Sequence, residues 1–227
     1  MSEQKVSLQR QINVGLNLIK KEGVYDDTQA YDYVVDKYLG RTKLAIDIVD
    51  QLAKNIQNNP NARVLDEASG TGAISLELAR RGYQTVSTDI SSEMLNKLKS
   101  KSEAEGLDII TSIANSNQNL PFADNSFSAV LTASANRYIT DIDVFLGEVN
   151  RVLTPDGIFI WPVLGADIIP WKINAGVTQP TLSHNLAKEM ENHGFKVKKD
   201  MIGSMFRNSL NGVPAYAIPT YLIGQKK

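Results

Sequence analysis

The sequence predicts an α/β protein built on a doubly wound, mostly parallel sheet of seven strands. Three observations predict it. Short apolar runs alternate with amphipathic helical segments through the middle of the chain. A loop of small residues joins the first of those runs to a helix, and two closing strands follow one another with no helix between them. Strands separated by helices form βαβ units, whose crossovers place helices on both faces of a parallel sheet. A closing pair without a crossover reads as antiparallel, at one edge.

Taken in order, residues 1–58 read as helical. NVGLNLIKK is one segment, and TKLAIDIVDQLAKNI is a second, with apolar residues at 44, 46, 48, 49, 52 and 56. Asn58-Asn59-Pro60-Asn61 breaks it. Strand-like runs follow at Arg63–Asp66, Gln84–Thr88, Asp108–Ile113, Ser128–Thr132 and Gly157–Val163. Helical periodicity fills the gaps at Gly72–Arg81, Ser92–Lys101 and Ile142–Leu153. In the last of these, Ile142, Phe145, Leu146, Val149, Val152 and Leu153 share one face. LAKEMENHGFKVKKDMIG reads as a helix and a strand, and AYAIPTYLIGQKK as a final strand. The expectation is seven strands and six helices with the last strand reversed. One domain covers 1–227, as an N-terminal helical cap or lid (1–58) and an α/β core (62–227).

Composition narrows the partners. A net charge of −1 offers no basic surplus for neutralising phosphates, so nucleic acid is not expected as a substrate. The KVKK at 196–199 and the closing QKK read as solvated faces. There is no apolar run of about 18 residues, so no membrane span is expected. MSEQKVSLQRQ lacks the apolar core of a signal peptide. The absence of cysteine excludes disulfides, cysteine–zinc sites and a thiol nucleophile. A cytoplasmic protein, monomeric or a homodimer, is the expectation.

In a doubly wound sheet, ligands sit at the carboxyl ends of the strands, where strand order reverses. The loop after the first strand is Asp66-Glu67-Ala68-Ser69-Gly70-Thr71-Gly72. Its small residues at 68, 70 and 72 let backbone approach a ligand, and the helix beginning near Gly72 aims free N–H groups at the same place. A dinucleotide fingerprint would carry a third glycine where Ser75 stands, which argues against NAD. A tight turn with no ligand is the alternative. The second strand ends VSTDIS, placing Asp89 seventeen residues after Gly72. A carboxylate there can accept both hydroxyls of a ribose, although Asp89 also lies close enough to Ser91-Ser92 to share in a helix cap.

With these residues in hand, the chain resembles the class I S-adenosylmethionine-dependent methyltransferases, whose core is Rossmann-like. VLDEASGTG resembles their first motif, with Ala68 in place of the first glycine as in the ubiquinone/menaquinone branch. TDISSEML resembles the second motif, NLPFADNSFSAV the stretch that carries the third and fourth strands, and EVNRVLTPDGIFIW the approach to the fifth. These span Val64 to Trp161, in order and with matching gaps. The resemblance implies that Asp66 and the backbone of Ala68, Gly70 and Gly72 hold the methionine end of the cofactor. It implies that Asp89 takes the ribose and that Ile90 packs on the adenine. Asn115-Ser116-Asn117 would line the adenine edge, Ser116 and Asn117 among the contacts. Many members have an aspartate where Ser116 stands, and a hydroxyl accepts the adenine amino group less strongly than a carboxylate.

Methyl transfer from a sulfonium needs an aligned acceptor and excluded water more than a catalytic triad. Ser134-Ala135-Asn136-Arg137-Tyr138 interrupts apolar sequence after the fourth strand and resembles a substrate-facing loop. Arg137 is placed to pair with an acidic acceptor and Tyr138 to stack on it; a surface arginine and a core tyrosine are the alternative. His184, near the start of the helix after the long 165–180 loop, is the candidate general base, whereas His193 reads as structural. That loop exceeds the usual connection of about 2–6 residues and reads as a lid. Trp161 and Trp171 would offer flat surfaces for a lipophilic acceptor or else fill the core. VYDDTQAYDYV resembles a tyrosine-bearing lid, with Tyr33 as a cofactor or substrate contact. No histidine and carboxylate spacing marks a metal site, and the acids at 141–143 read as a helix start. The expected function is S-adenosylmethionine-dependent methylation of a small-molecule acceptor, at oxygen or nitrogen first and carbon next. The competing class is a non-catalytic S-adenosylmethionine-binding protein.

Overall fold

Helix α1 (Arg41–Asn55) comes first in the computed structural model, which describes residues 41–56, 59, 61–133, 135, 138–163, 179–201 and 220–227. Its apolar residues Leu44, Ala45, Ile48, Val49 and Leu52 recur at intervals of three and four and are all buried. Ile46, expected on that stripe, is 38% exposed, because two positions from Leu44 a helix has turned most of the way to its opposite face. The part of the expected cap formed by α1 therefore packs into the core.

The remaining elements follow as β1 (Arg63–Glu67), α2 (Ala73–Arg80), β2 (Gln84–Asp89), α3 (Ser92–Glu105) and β3 (Ile109–Ile113). After them come β4 (Phe127–Thr132), α4 (Ile142–Val152), β5 (Leu153–Val163), α5 (Gln179–Asn192), β6 (Phe195–Met201) and β7 (Thr220–Lys226). Two helix starts carry capping side chains. Ser91 Oγ accepts from Met94 N at 3.3 Å to open α3, and Asp141 accepts from Val144 N at 3.0 Å to open α4. Gly106, at φ 66°, closes α3 in the left-handed conformation.

The sheet runs β3-β2-β1-β4-β5-β7-β6. Strands β1 to β5 pair in parallel, and β7 is antiparallel to both β5 and β6. This is the Rossmann-like order with a reversed last strand, as the sequence predicts. One refinement is that β7 lies inside the sheet and leaves β6 at the edge. Strand β5 also begins earlier than Gly157. Leu153 already pairs with Phe127, and an irregularity absorbs Thr154-Pro155-Asp156-Gly157 before regular pairing resumes. Those turn-type residues hide the start of the strand from a reading of propensity.

Alternate residues of each strand enter different cores. Val64, Ala129, Leu131, Ile158, Ile160, Tyr221 and Ile223 meet α1 and α2 on one face. Leu65, Val130, Phe159, Trp161 and Leu222 meet α4 and α5 on the other. The sequence walks outward from β1 toward β3 on one side and from β4 toward β5 on the other. The switch point thus falls between β1 and β4, at their carboxyl ends.

Candidate active site

At the end of β1, Asp66 and Glu67 point to opposite faces of the sheet, as consecutive strand residues must. Asp66, 1% exposed, accepts from Ser75 Oγ at 2.5 Å, and Ser75 Oγ accepts from Ser87 Oγ at 2.8 Å. The residue that stands where a dinucleotide fingerprint has its third glycine is therefore a buried polar link from α2 to β1 and β2. The loop that follows is left-handed three times, at Ala68 (φ 54°), Gly70 (φ 56°) and Gly72 (φ 86°). Gly72 is required twice over. Its φ is one that side chains rarely adopt, and a Cβ there would lie 2.1 Å from Leu98 Cδ1.

Asp89 holds this loop. Its Oδ2 accepts from Gly70 N at 2.8 Å and its Oδ1 from Ser91 N at 2.9 Å. Ser91 is the helix cap, so Asp89 keeps one loop amide on each oxygen and spare lone pairs on both. Ser69 N donates to Thr88 O at 2.8 Å, which ties the loop to β2 a second time. Ile90, the next residue, is 67% exposed, an apolar surface beside a carboxylate at the open end of the sheet. A small pocket opens on the side of the loop that faces α1 and α2, lined by Leu44, Ala45, Asp66, Ala68, Ser69, Ala73, Ile74 and Ala133. Ser69 Oγ is buried in it without a hydrogen-bond partner among the described residues. A buried hydroxyl left in this state fits a site that awaits a polar ligand.

Glu67 is the group the sequence reading missed. It is 1% exposed, and one carboxylate oxygen accepts the Ser116 hydroxyl. The other accepts from Thr132 Oγ1 at 3.2 Å, from the residue opposite in the β1–β4 register. Burial pushes its carboxyl up to about 7 against the lowering effect of the two hydroxyls; the nearby carboxylates of Asp89 and Asp66 add to the rise. The signal was available only as the second of two acids after a buried apolar pair. Nothing in the sequence said that Ser116 and Thr132 would converge on it.

Asn117 serves as a brace. Its Oδ1 accepts from Thr140 N at 2.7 Å and Asp141 N at 3.1 Å, and its Nδ2 donates to Tyr138 O at 2.9 Å. The loop after β3 is thereby fixed to the segment entering α4, and Tyr138 is held half-exposed at that junction. Trp161 is not an acceptor surface. It is 1% exposed and packs its ring 5.3 Å from Phe145 and 5.6 Å from Phe159, because its position on β5 points it between the sheet and α4. His193 ties α5 to its neighbour, with Nδ1 2.8 Å from Glu189 O and Nε2 3.3 Å from Asp143 Oδ1. Asp143, Glu189 and His193 bring ligand atoms within 4.8 Å of one another, but on helices that pack against β5, β6 and β7 rather than at the glycine loop. His184 lies in α5, with its side chain outside the described residues, as are Tyr33, Arg137 and Trp171.

Comparison with known proteins assigns this core. Residues 65–161 match the model of the methyltransferase domain family. The ubiquinone/menaquinone biosynthesis C-methyltransferase UbiE of Rickettsia typhi is 36% identical over 165 residues, covering 66% of this chain and 65% of that protein. An uncharacterized protein of Mycobacterium tuberculosis is 38% identical over 98 residues, 43% of this chain and 35% of that one. The chain thus spans about a third of the mycobacterial relatives and just under two thirds of the rickettsial one. A SAM-dependent methyltransferase from Methanosarcina mazei superimposes with a TM-score of 0.59 at 20% identity, over 74% of this chain and 93% of that one. The segment from Leu65 to Trp161 thus matches the methyltransferase domain family, and its fold is the one seen in the Methanosarcina protein.

Proposed function

We propose that the protein transfers a methyl group from S-adenosylmethionine to a small-molecule acceptor. One observation carries the reading: Asp89, at the carboxyl end of β2, holds the left-handed loop by the Gly70 amide and keeps lone pairs on both oxygens. That carboxylate would take the ribose hydroxyls. Asp66 and Ser69, with the backbone of Ala68, Gly70 and Gly72, would hold the amino-acid end, and Ile90 would cover one face of the adenine. Ser116 and the backbone of Asn117 would meet its edge.

When bound, the sulfonium offers a methyl carbon whose bond to sulfur breaks as its bond to the acceptor forms, leaving a neutral thioether. The chain's own residues then have three tasks. The loop fixes the direction of attack. Tyr138, at the junction braced by Asn117, would orient the acceptor together with Arg137, its neighbour in sequence. An imidazole nitrogen of His184 would take the proton of an acceptor that must lose one. Tyr33 and the 165–180 segment would close the site against water. The name of the Rickettsia relative, a C-methyltransferase, moves carbon ahead of oxygen and nitrogen as the favoured acceptor atom.

Calorimetric titration tests the reading. S-adenosylmethionine should bind in the micromolar range and NAD should not bind. Asp89→Asn, which removes a charged acceptor from the ribose, should weaken the first by about 1.5–3 kcal/mol. Equal binding of both nucleotides, or none of either by folded protein, would overturn the proposal.

A further inference from the structure

The loop after β3 carries a serine where an amino-accepting carboxylate would serve better, yet a carboxylate lies directly behind it. A hydroxyl has one hydrogen to give and two lone pairs. Ser116 gives its hydrogen to Glu67. An ionised carboxylate cannot donate, so this bond has one direction, and the outer side of Ser116 Oγ is left with acceptor character alone. The arrangement is fixed from beneath. Thr132 holds the second oxygen of Glu67 at 3.2 Å, and both residues are buried at the end of paired strands. It is also fixed from the side. Ala114 N donates to Asp89 O at 3.1 Å, which sets the loop beside the carboxylate expected to hold a ribose. A ligand running from the glycine loop on β1 to Asp89 on β2 places its base next at this loop.

We infer that Glu67 is a positioning residue that makes Ser116 a one-way acceptor and so selects a base bearing an amino group over one bearing a carbonyl at the same position. The inference rests on the adenosyl reading above. Hydrogen bonds with an ionised partner are about twice as strong as neutral ones, so the hydroxyl backed by Glu67 recovers much of what a carboxylate at 116 would provide. A 6-oxo base would set its own lone pairs against those of Ser116 and lose the contact. The selection depends on Glu67 being ionised. Among the described residues, the charged groups acting on it are Asp89 and Asp66, both acidic, and Ser116 and Thr132 are uncharged. Its carboxyl, pushed up to about 7, is ionised above that pH and protonated below it. Once protonated it can donate to Ser116, whose own hydrogen is then free to turn outward, and the selection is lost.

The test compares S-adenosylhomocysteine with S-inosylhomocysteine, by calorimetry at pH 8.5 and pH 5.5. The native protein should prefer the adenosyl compound by about tenfold or more at pH 8.5, and the preference should shrink several-fold at pH 5.5. Glu67→Gln, close in shape, should lose most of the preference and its pH dependence while still binding the inosyl compound. Ser116→Ala, which leaves the buried carboxylate in place, should lose the preference as well. A parallel loss of affinity for both compounds, or a preference unchanged in Glu67→Gln and Ser116→Ala, would make Glu67 a structural acid only and overturn the inference. Failure of the native protein to bind either compound would instead overturn the adenosyl reading, and this inference with it.

Discussion

A glutamate kept almost wholly from water, with two hydroxyls and, among the described residues, no cation hydrogen-bonded to it, is an expensive choice for a strand end. The thermodynamic sign follows from linkage. The folded protein holds the Glu67 proton up to about pH 7, whereas an unfolded chain releases it near 4.5. Between those values the native state binds more protons, so stability falls as pH rises through the window. The loss amounts to about 3 kcal/mol by pH 8. Glu67→Gln should therefore be more stable than the native protein at pH 8, by up to that amount, and about equal to it at pH 4.5. Urea unfolding midpoints at the two values measure it. A native sequence that keeps a destabilising group at the mouth of a nucleotide crevice fits a group retained for what it does there. Glu67 is also where sequence reading stopped. Asp66, Ala68, Gly70, Gly72 and Asp89 were legible because a loop motif and the next strand's end are local patterns. Glu67 acquires its meaning from residues 49 and 65 positions away, joined only by strand register and a loop.

At the scale of elements, two joints carry the site. The first is the turn into α2. Gly72→Ala would place a Cβ against Leu98, itself buried in α3, at a φ of 86°. Left-handed strain and overpacking together should lower stability by roughly 2–4 kcal/mol and loosen the loop that meets the ligand. Thermal unfolding of the variant with and without S-adenosylmethionine separates the two effects. The second joint is Arg151, which donates to Glu148, Asp124, Phe122 O and Leu120 O, while Glu148 accepts Leu120 N at 2.7 Å. One helix end thus pins the crossing between β3 and β4. The Arg151 guanidinium holds the Glu148 carboxyl below its ordinary value, so this contribution is present above the usual glutamate range and is lost as acid protonates Glu148. Arg151→Met should lower stability by about 2–3 kcal/mol and speed hydrogen exchange at the Leu120 amide. The strands were legible as short apolar runs. The early start of β5 was not, since Pro155, Asp156 and Gly157 argue for a turn when neighbouring strands are out of view. Ile46 and Trp161 show the same limit from the other side: apolarity told that a residue could be buried, but only phase and register told where it would point.

For the whole molecule, cofactor binding and folding are one equilibrium. The loop, Asp89 and Ser69 belong to the same packed core as β1 and β2, so S-adenosylmethionine at a hundred times its dissociation constant should add about 2.7 kcal/mol of stability. For a chain of this length each kcal/mol moves the melting temperature by roughly 2–4 °C, which predicts a rise of about 5–10 °C in a thermal scan. NAD should leave the curve unmoved.

The placement of β7 has a consequence for how the molecule is made. Tyr221, Leu222 and Ile223 are buried between β5 and β6, so the strand that is synthesised after all the other described strands fills the middle of one half of the sheet. Until residues 220–226 emerge from the ribosome, β5 and β6 each carry an unsatisfied edge with nothing to bridge them. A nascent chain halted before that point would display two sticky borders at once, a liability for assembly with its neighbours on a polysome. It is β7, rather than the nucleotide loop made long before it, that covers both borders.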